Sequence, residues 1–445
     1  MNSFFRISSY ILFVLVIFLF CYLFYKSHIV YNGERNYYYF KYYFFLSFFL
    51  LSAILYFFLN SKHKINFILI YFSIFFSLYI IEAYLIFNQN IVKNKLIELK
   101  KIKISEKIFN YDKRTEYQIF LDEQKKDASV RPYISSAAVG INIEKNFFPL
   151  SSISNVRTIF CNENGYYPIY RSDRYGFNNP DSEWNNNVEY LIIGDSFAHG
   201  SCVNQKDTVS GKIRFYKNTS ALNLGHGGNG PLIEYATLRE YIKLINPKYI
   251  IWMYYEANDL ENLKRELKNE ILLKYLLDDK FSQNLIEKQN DIDVYLNSIF
   301  ENKLSKEAKL NQNVNKFTFN IKHFITLVQI RNLTLEKYFN SIDPNFKKIL
   351  KYSKDLSIKN NAKLYFLYVP EYSRFKKGFS LQNSSRLYKK VIEITDELEI
   401  DLIDLNKILS DKKNTINFFP LDGGHFNENG YDFVSKIIIN ETQND

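Results

Sequence analysis

Apolar residues follow two different patterns along this chain. In the N-terminal part they form long, nearly unbroken runs: Ser9–Tyr25 (SYILFVLVIFLFCYLFY), Tyr42–Leu59 (YYFFLSFFLLSAILYFFL) and Ile65–Phe87 (INFILIYFSIFFSLYIIEAYLIF). Each is close to the ~20 residues that a helix needs to cross a bilayer. A buried soluble helix, or a cleaved signal peptide in the first case, would account for one run. Three in succession with short charged connectors predict a membrane region of three transmembrane helices over residues 1–90.

From Tyr190 onward the apolar runs are short and alternate with amphipathic stretches. Tyr190–Ile193, Ala221–Gly225 and Lys248–Tyr255 predict strands. Lys206–Tyr216 and Pro231–Ile245 predict the intervening helices, the second with Pro at its first position. A β-α-β-α-β series is the pattern of a parallel sheet covered on both faces. Ala362–Pro370 and a short run near Leu402–Leu405 continue the strands, with a helix over Ser385–Glu397 between them. "FFPLDGGHFNENGYDFVSKIII" then reads as a loop running into a last helix. The fold class is therefore α/β, with a three-layer α/β/α domain over 188–445. Leu260–Asp343 breaks the pattern: it is charged, helical in period and nearly free of strand signal, so it reads as a helical insertion. Residues 91–187 form a lead-in segment with a helix near 94–108 and a turn-rich loop, "RSDRYGFNNPDSEW" (Arg171–Trp184), but no βα repeat.

Charge and cysteine content refine this outline. The formal net charge is +10. The lysines are dispersed and no nucleic-acid module is visible, so a solvated surface is expected and no nucleic-acid partner. The cluster "KNKLIELKKIKISEK" (Lys93–Lys107) is placed to meet anionic lipid headgroups. Of the three cysteines, Cys21 lies in the first apolar run. Cys161 and Cys202 are a candidate disulfide, with two buried free thiols as the alternative; no metal-ligand spacing exists among the three.

The candidate chemistry centres on "LIIGDSFAHG" (Leu191–Gly200). Gly194 breaks a buried strand and Ser196 follows at its C-terminal end, where ligands bind in open α/β sheets. The stretch alone fits either a nucleophile or a helix cap. A serine nucleophile needs a base and a group that orients the base. His28 and His63 lie beside the apolar runs, and His323 lies in the helical insertion. His199 is expected to point away along the next helix, and His226 to line the active edge. His425, in "PLDGGHFNENGY", has Asp422 three residues earlier, a spacing that can fold a carboxylate onto the imidazole and leave the other ring nitrogen for serine. A capping Asp422 with a surface His425 is the structural alternative. Oxyanion donors are available from the glycines of "NLGHGGNG" (Asn223–Gly230) and from the side-chain amide of Asn258 in "YYEANDL". Asn258 and Asp259 would otherwise cap a helix.

Taken in order, these blocks resemble the SGNH (GDSL-type) hydrolase family. Gly194-Asp195-Ser196-Phe197 is similar to its first block, Asn223 through Gly228 to its second, Glu256-Ala257-Asn258-Asp259 to its third, and Asp422 to His425 to its last. Glu256 stands where the family has Gly. The resemblance covers about Tyr190–Asp259 and Ala362–Asn440, and "SDRYGFNNPD" is similar to a segment of membrane-anchored members. It implies Ser196, Asp422 and His425 as catalytic residues and Gly228 and Asn258 as the oxyanion hole. The serine follows the first clear strand, which argues against an α/β-hydrolase elbow. The implied activity is a serine esterase acting on an acylated carbohydrate or lipid. The alternatives are an O-acyltransferase of a surface polysaccharide and a catalytically inactive envelope binding module. No metal or nucleotide cofactor motif is present. The insertion leaves the core directly after Asn258 and is expected to cover the cleft. With the N-terminus inside, three spans put the domain on the extracytoplasmic (periplasmic) side, as the resemblance implies, whereas the lysine distribution points the other way.

Overall fold

The computed structural model of the chain describes residues 2–30, 36–108, 110–140, 146–311, 321–334, 342–375, 382–420 and 423–443. They fall into two compact units, residues 1–97 with 315–341, and 98–314 with 342–445.

The first unit is helical: Asn2–Phe24, Asn36–Phe58 and the first part of the long helix Ser61–Lys107. Ser9–Val30, Tyr39–Phe58 and Ser61–Asn88 are long and apolar enough to cross a membrane. Large apolar side chains such as Phe18, Phe44 and Phe72 point outward on them, as lipid-facing residues would. The few polar groups inside are paired: Lys64 Nζ donates to Ser9 Oγ at 3.2 Å. Part of the predicted insertion belongs to this unit. The carboxylate of Glu82 accepts the backbone N–H groups of Gln329 (2.8 Å) and Ile330 (2.9 Å), at the start of the helix Val328–Thr334. An acidic group at the positive end of a helix satisfies donors that the helix itself cannot.

The second unit holds two sheets. A small one, from the lead-in segment, joins β1 (Arg131–Pro132), β2 (Arg157–Ile159) and β3 (Ile169–Arg171), with β1 and β2 parallel and β2 and β3 antiparallel. The main sheet has five parallel strands: β4 (Val188–Gly194), β5 (Ser220–Asn223), β6 (Tyr249–Tyr255), β7 (Lys363–Val369) and β8 (Asp401–Asp404). Their order across the sheet is β5-β4-β6-β7-β8. After β5 the chain crosses back and continues on the other side of β4, so connections leave β4 and β6 in opposite directions. That reversal opens a crevice at the C-terminal ends of these two strands.

Side chains alternate between the two faces at the strand period of two. Tyr190, Ile192, Ile251, Met253 and Leu367 face the helices Val209–Lys217 and Glu428–Gln443. Leu191, Ile193, Ile250, Trp252 and Phe366 face the helices Pro231–Tyr241 and Pro344–Lys359. Both faces are covered, and this is why these strands read as continuous apolar runs in the sequence. The architecture is the three-layer α/β/α expected. From the predicted insertion, the helices Asp259–Glu266, Glu270–Leu277 and the start of Gln289–Asn311 complete the core on one sheet face. Leu272, Tyr275, Leu296 and Phe300 are buried there. Gln283 and Asp293 hold the lead-in segment, accepting from Phe148 N–H (2.6 Å) and Ser154 Oγ (2.6 Å).

Candidate active site

β4 ends at Gly194, which has φ +146°. A Cβ there would lie 2.5 Å from the carbonyl oxygen of Met253 on β6, so the sharp exit from the sheet requires glycine. The turn brings Asp195 to the N-cap of the short helix Ser196–His199, its carboxylate accepting from Phe197 N–H at 2.9 Å. The two readings of Ser196 separate at this point. Asp195 does the capping, and the serine hydroxyl is left to face the crevice.

That hydroxyl meets His425 Nε2 at 2.8 Å. On the other side of the ring, His425 Nδ1 lies 3.0 Å from Glu163 Oε1, and the His425 backbone N–H donates to Glu163 Oε2 at 2.9 Å. A carboxylate only accepts, so Nδ1 carries the proton and Nε2 presents its lone pair to Ser196. The ring of Phe197 packs against the imidazole with centroids 5.0 Å apart. Ser196 and His425 are thus brought together. Asp422 lies outside the described residues. Glu163 carried no signal in the sequence as a site residue; the one hint was its place two residues after Cys161, in the loop between β2 and β3.

Asn258 occupies the N-cap position of the helix Asp259–Glu266 but makes no side-chain cap bond. Its Nδ2 donates instead to Asp195 Oδ2 at 3.3 Å, and that same oxygen lies 3.1 Å from Ser196 Oγ. Asn258 therefore stands beside the serine. Burial pushes the Asp195 carboxyl above the usual carboxylate range, opposed by the Phe197 N–H and the nearby His425. Gly228 lies in the loop after β5 with φ +86°. The N–H of its neighbour Gly227 is already taken by Tyr133 Oη at 2.6 Å. Glu256, where the resemblance leads one to expect glycine, keeps an ordinary negative φ among the described residues. Its carboxylate is drawn into a buried ion pair with Arg374 and accepts from Glu371 N–H at 3.1 Å.

His199 and His226 are both buried behind the site. His199 packs between Tyr133 and Phe160, with centroids at 4.8 and 4.6 Å, and His226 lies 5.2 Å from Tyr133. Burial holds their pKa values down at about 3 and about 4, so both rings are neutral packing groups at physiological pH. His28, His63 and His323 belong to the other compact unit.

Cys161 and Cys202 are joined, S–S 2.02 Å, across 41 residues. The bond ties the β2–β3 loop to the segment that leaves Ser196, and Asn164 Nδ2 reinforces it by donating to Cys202 O at 2.9 Å. Tyr166 Oη, in the same loop, donates to Glu428 on the last helix. Loop closure of this length constrains the unfolded chain by about 4 kcal/mol. Cys161→Ser is expected to lower unfolding stability by nearly that amount in a denaturant titration. In the denatured wild-type chain Cys21 should alkylate directly, and Cys161 and Cys202 only after reduction.

No protein-family model matches the sequence, and no curated protein matches it. Several solved structures align with part of the chain. A lipase/acylhydrolase from Enterococcus faecalis is 14% identical, over 57% of this chain and 94% of its own, with a TM-score of 0.32. An acetyl xylan esterase, AlAXEase, is 13% identical over 57% and 99%, with a TM-score of 0.31. A GDSL-like lipase from Bacteroides thetaiotaomicron is 10% identical over 60% and 91%, with a TM-score of 0.30. At these identities and scores the likeness assigns no residue, and the roles of the site residues rest on the geometry above.

Proposed function

We propose that this protein is a serine acyl hydrolase of SGNH type, tethered to a membrane by three N-terminal helices, that removes acyl groups from a carbohydrate or lipid ester. The observation that carries the reading is the 2.8 Å contact between Ser196 Oγ and His425 Nε2 at the crevice end of β4. Ser196 Oγ attacks the acyl carbonyl while its proton passes to Nε2. The oxyanion is received by Gly228 N–H and by the Asn258 side-chain amide, whose 3.3 Å bond to Asp195 is long enough to exchange for a charged partner. Collapse expels the alcohol, which takes the proton from Nε2 and leaves an ester on Ser196. Water then attacks this ester, gives its proton to Nε2, and the second collapse returns a proton to Oγ and releases the acid. A sugar hydroxyl in place of that water would make the same intermediate an O-acyltransferase. The Cys161–Cys202 bond supports an extracytoplasmic, periplasmic-side domain, since such bonds persist outside the cytosol.

The test uses the full chain in detergent. Short-chain p-nitrophenyl esters should be turned over, and a fluorophosphonate should label Ser196. Turnover that rises when a sugar acceptor is added, with an acylated sugar as product, would identify a transferase. Label on another residue, or none, would sink both versions.

A further inference from the structure

We infer that Glu163, delivered from the lead-in segment, is the carboxylate that positions the base of this site; the inference rests on the serine-hydrolase reading above. Three observations on different parts of the chain converge on it. The first is a two-point grip. One oxygen of Glu163 faces His425 Nδ1 at 3.0 Å while the other accepts the backbone N–H of the same residue at 2.9 Å. A single surface ion pair would hold the ring by one contact and leave its orientation free. Two contacts to one residue, one to the ring and one to the backbone, fix the ring's plane and its tautomer together.

The second is the space made for it. A Cβ on Gly424, the residue before His425, would lie 2.6 Å from Glu163 Oε2. Gly424 has φ +110°, a conformation that also favours glycine. The "GGH" turn is therefore shaped to receive a carboxylate from outside its own loop. The third is the fastening of Glu163 from both sides. Cys161, two residues before it, is bonded to Cys202 on the serine segment. Tyr166, three residues after it, donates to Glu428 at the start of the helix that follows His425. The loop between β2 and β3 is thus clamped to both halves of the serine–histidine pair.

In the first half-reaction the Ser196 Oγ–H bond breaks as Oγ bonds to the acyl carbon, and the proton goes to Nε2. Glu163 takes no proton. It keeps Nδ1–H where it is and faces the positive charge that forms on the ring. In Glu163→Gln, an amide NH₂ turned toward Nδ1 would favour the opposite tautomer, in which Nε2 carries the proton and cannot accept one from serine.

The experiment measures kcat and KM on a short-chain ester for the full chain in detergent. Glu163→Gln and Glu163→Ala should each lower kcat by about 10³- to 10⁴-fold, by analogy with the loss on disrupting the orienting acid of a serine protease, with KM changed much less. Glu163→Asp should recover part of the loss, and added formate should raise the rate of Glu163→Ala, because a free carboxylate can occupy the vacated place. Asp422→Asn is expected to cost less than Glu163→Gln. Rates within threefold of wild type in both Gln and Ala variants would overturn the inference. So would a loss that neither Asp nor formate relieves, or a larger loss from Asp422→Asn. If Ser196→Ala is inactive while the Glu163 variants are not, only this inference fails. If Ser196→Ala retains activity, the reading beneath it fails first.

Discussion

Ser196→Ala should lower kcat for ester hydrolysis by roughly 10⁶-fold, the scale seen when the nucleophile of a serine hydrolase is removed. The expectation follows from how the site is divided. Asp195 already caps the helix at Ser196, so the substitution removes no cap and little packing. Only the hydroxyl is lost, and with it the atom that forms the acyl-enzyme. His425 would keep its contacts with Glu163 and stay in place as a base without a nucleophile. Residual catalysis would then come only from binding and oxyanion donors acting on an attack by water. Both tryptophans, Trp184 and Trp252, lie in the same compact unit as the site. Their fluorescence should show an unchanged unfolding midpoint in the variant. Wild-type-like turnover in a folded Ser196→Ala protein would rule out the acyl-enzyme route.

The second large effect is on stability and concerns Asp173. This carboxylate is fully buried and accepts four hydrogen bonds. Tyr175 and Phe177 N–H donate to Oδ1 at 2.9 Å each, and Asn179 Nδ2 and Trp184 Nε1 donate to Oδ2 at 2.8 Å each. Asn179 in turn brackets Asn223 at the end of β5, accepting its N–H and donating to its carbonyl, both at 2.8 Å. Asp173→Asn keeps the shape but turns one acceptor into a donor that faces two donors. Leaving buried donors unpaired at about 1–3 kcal/mol each, the variant should lose about 3 kcal/mol or more. Burial pushes the Asp173 carboxyl up, against the four hydrogen bonds that pull it down. Denaturant titrations of wild type and Asp173→Asn at neutral pH check the loss, and an unchanged unfolding midpoint would overturn it.

The parallel sheet was readable because its strands are buried on both faces and connected by amphipathic helices, a pattern with strong periodic signal. Ser196, His425 and Asn258 stand out as candidates for a related reason: each follows a strand or precedes a helix whose limits the sequence marks. Glu163 does not. It sits between strands of three residues each, too short to show a period of two, and it reaches His425 across 262 residues of chain. The cysteine two positions before it was the one usable clue, and it pointed to a bond rather than to a carboxylate. The helix Pro344–Lys359 does carry a local signal, with Asp343 capping it and Pro344 opening it, inside and just beyond a stretch that otherwise reads as one insertion. For the insertion, a charged, amphipathic sequence looks alike whether it hangs over a cleft or packs on a core. What separates the two is the set of partners on Phe148 and Ser154, which no local pattern reveals.

The distance in sequence between the parts of this site has a consequence for synthesis. Ser196 precedes its base by 229 residues. A chain emerging from the ribosome carries the serine, the loop that bears Glu163 and most of the sheet well before His425 has been translated. Throughout that interval it holds a hydroxyl with nothing to activate it. Bringing such distant segments together is the slow, entropically costly end of folding. On the proposed reading, chemical competence arrives late, when the final helix docks, and nascent or truncated chains that stop short of it should be silent toward esters.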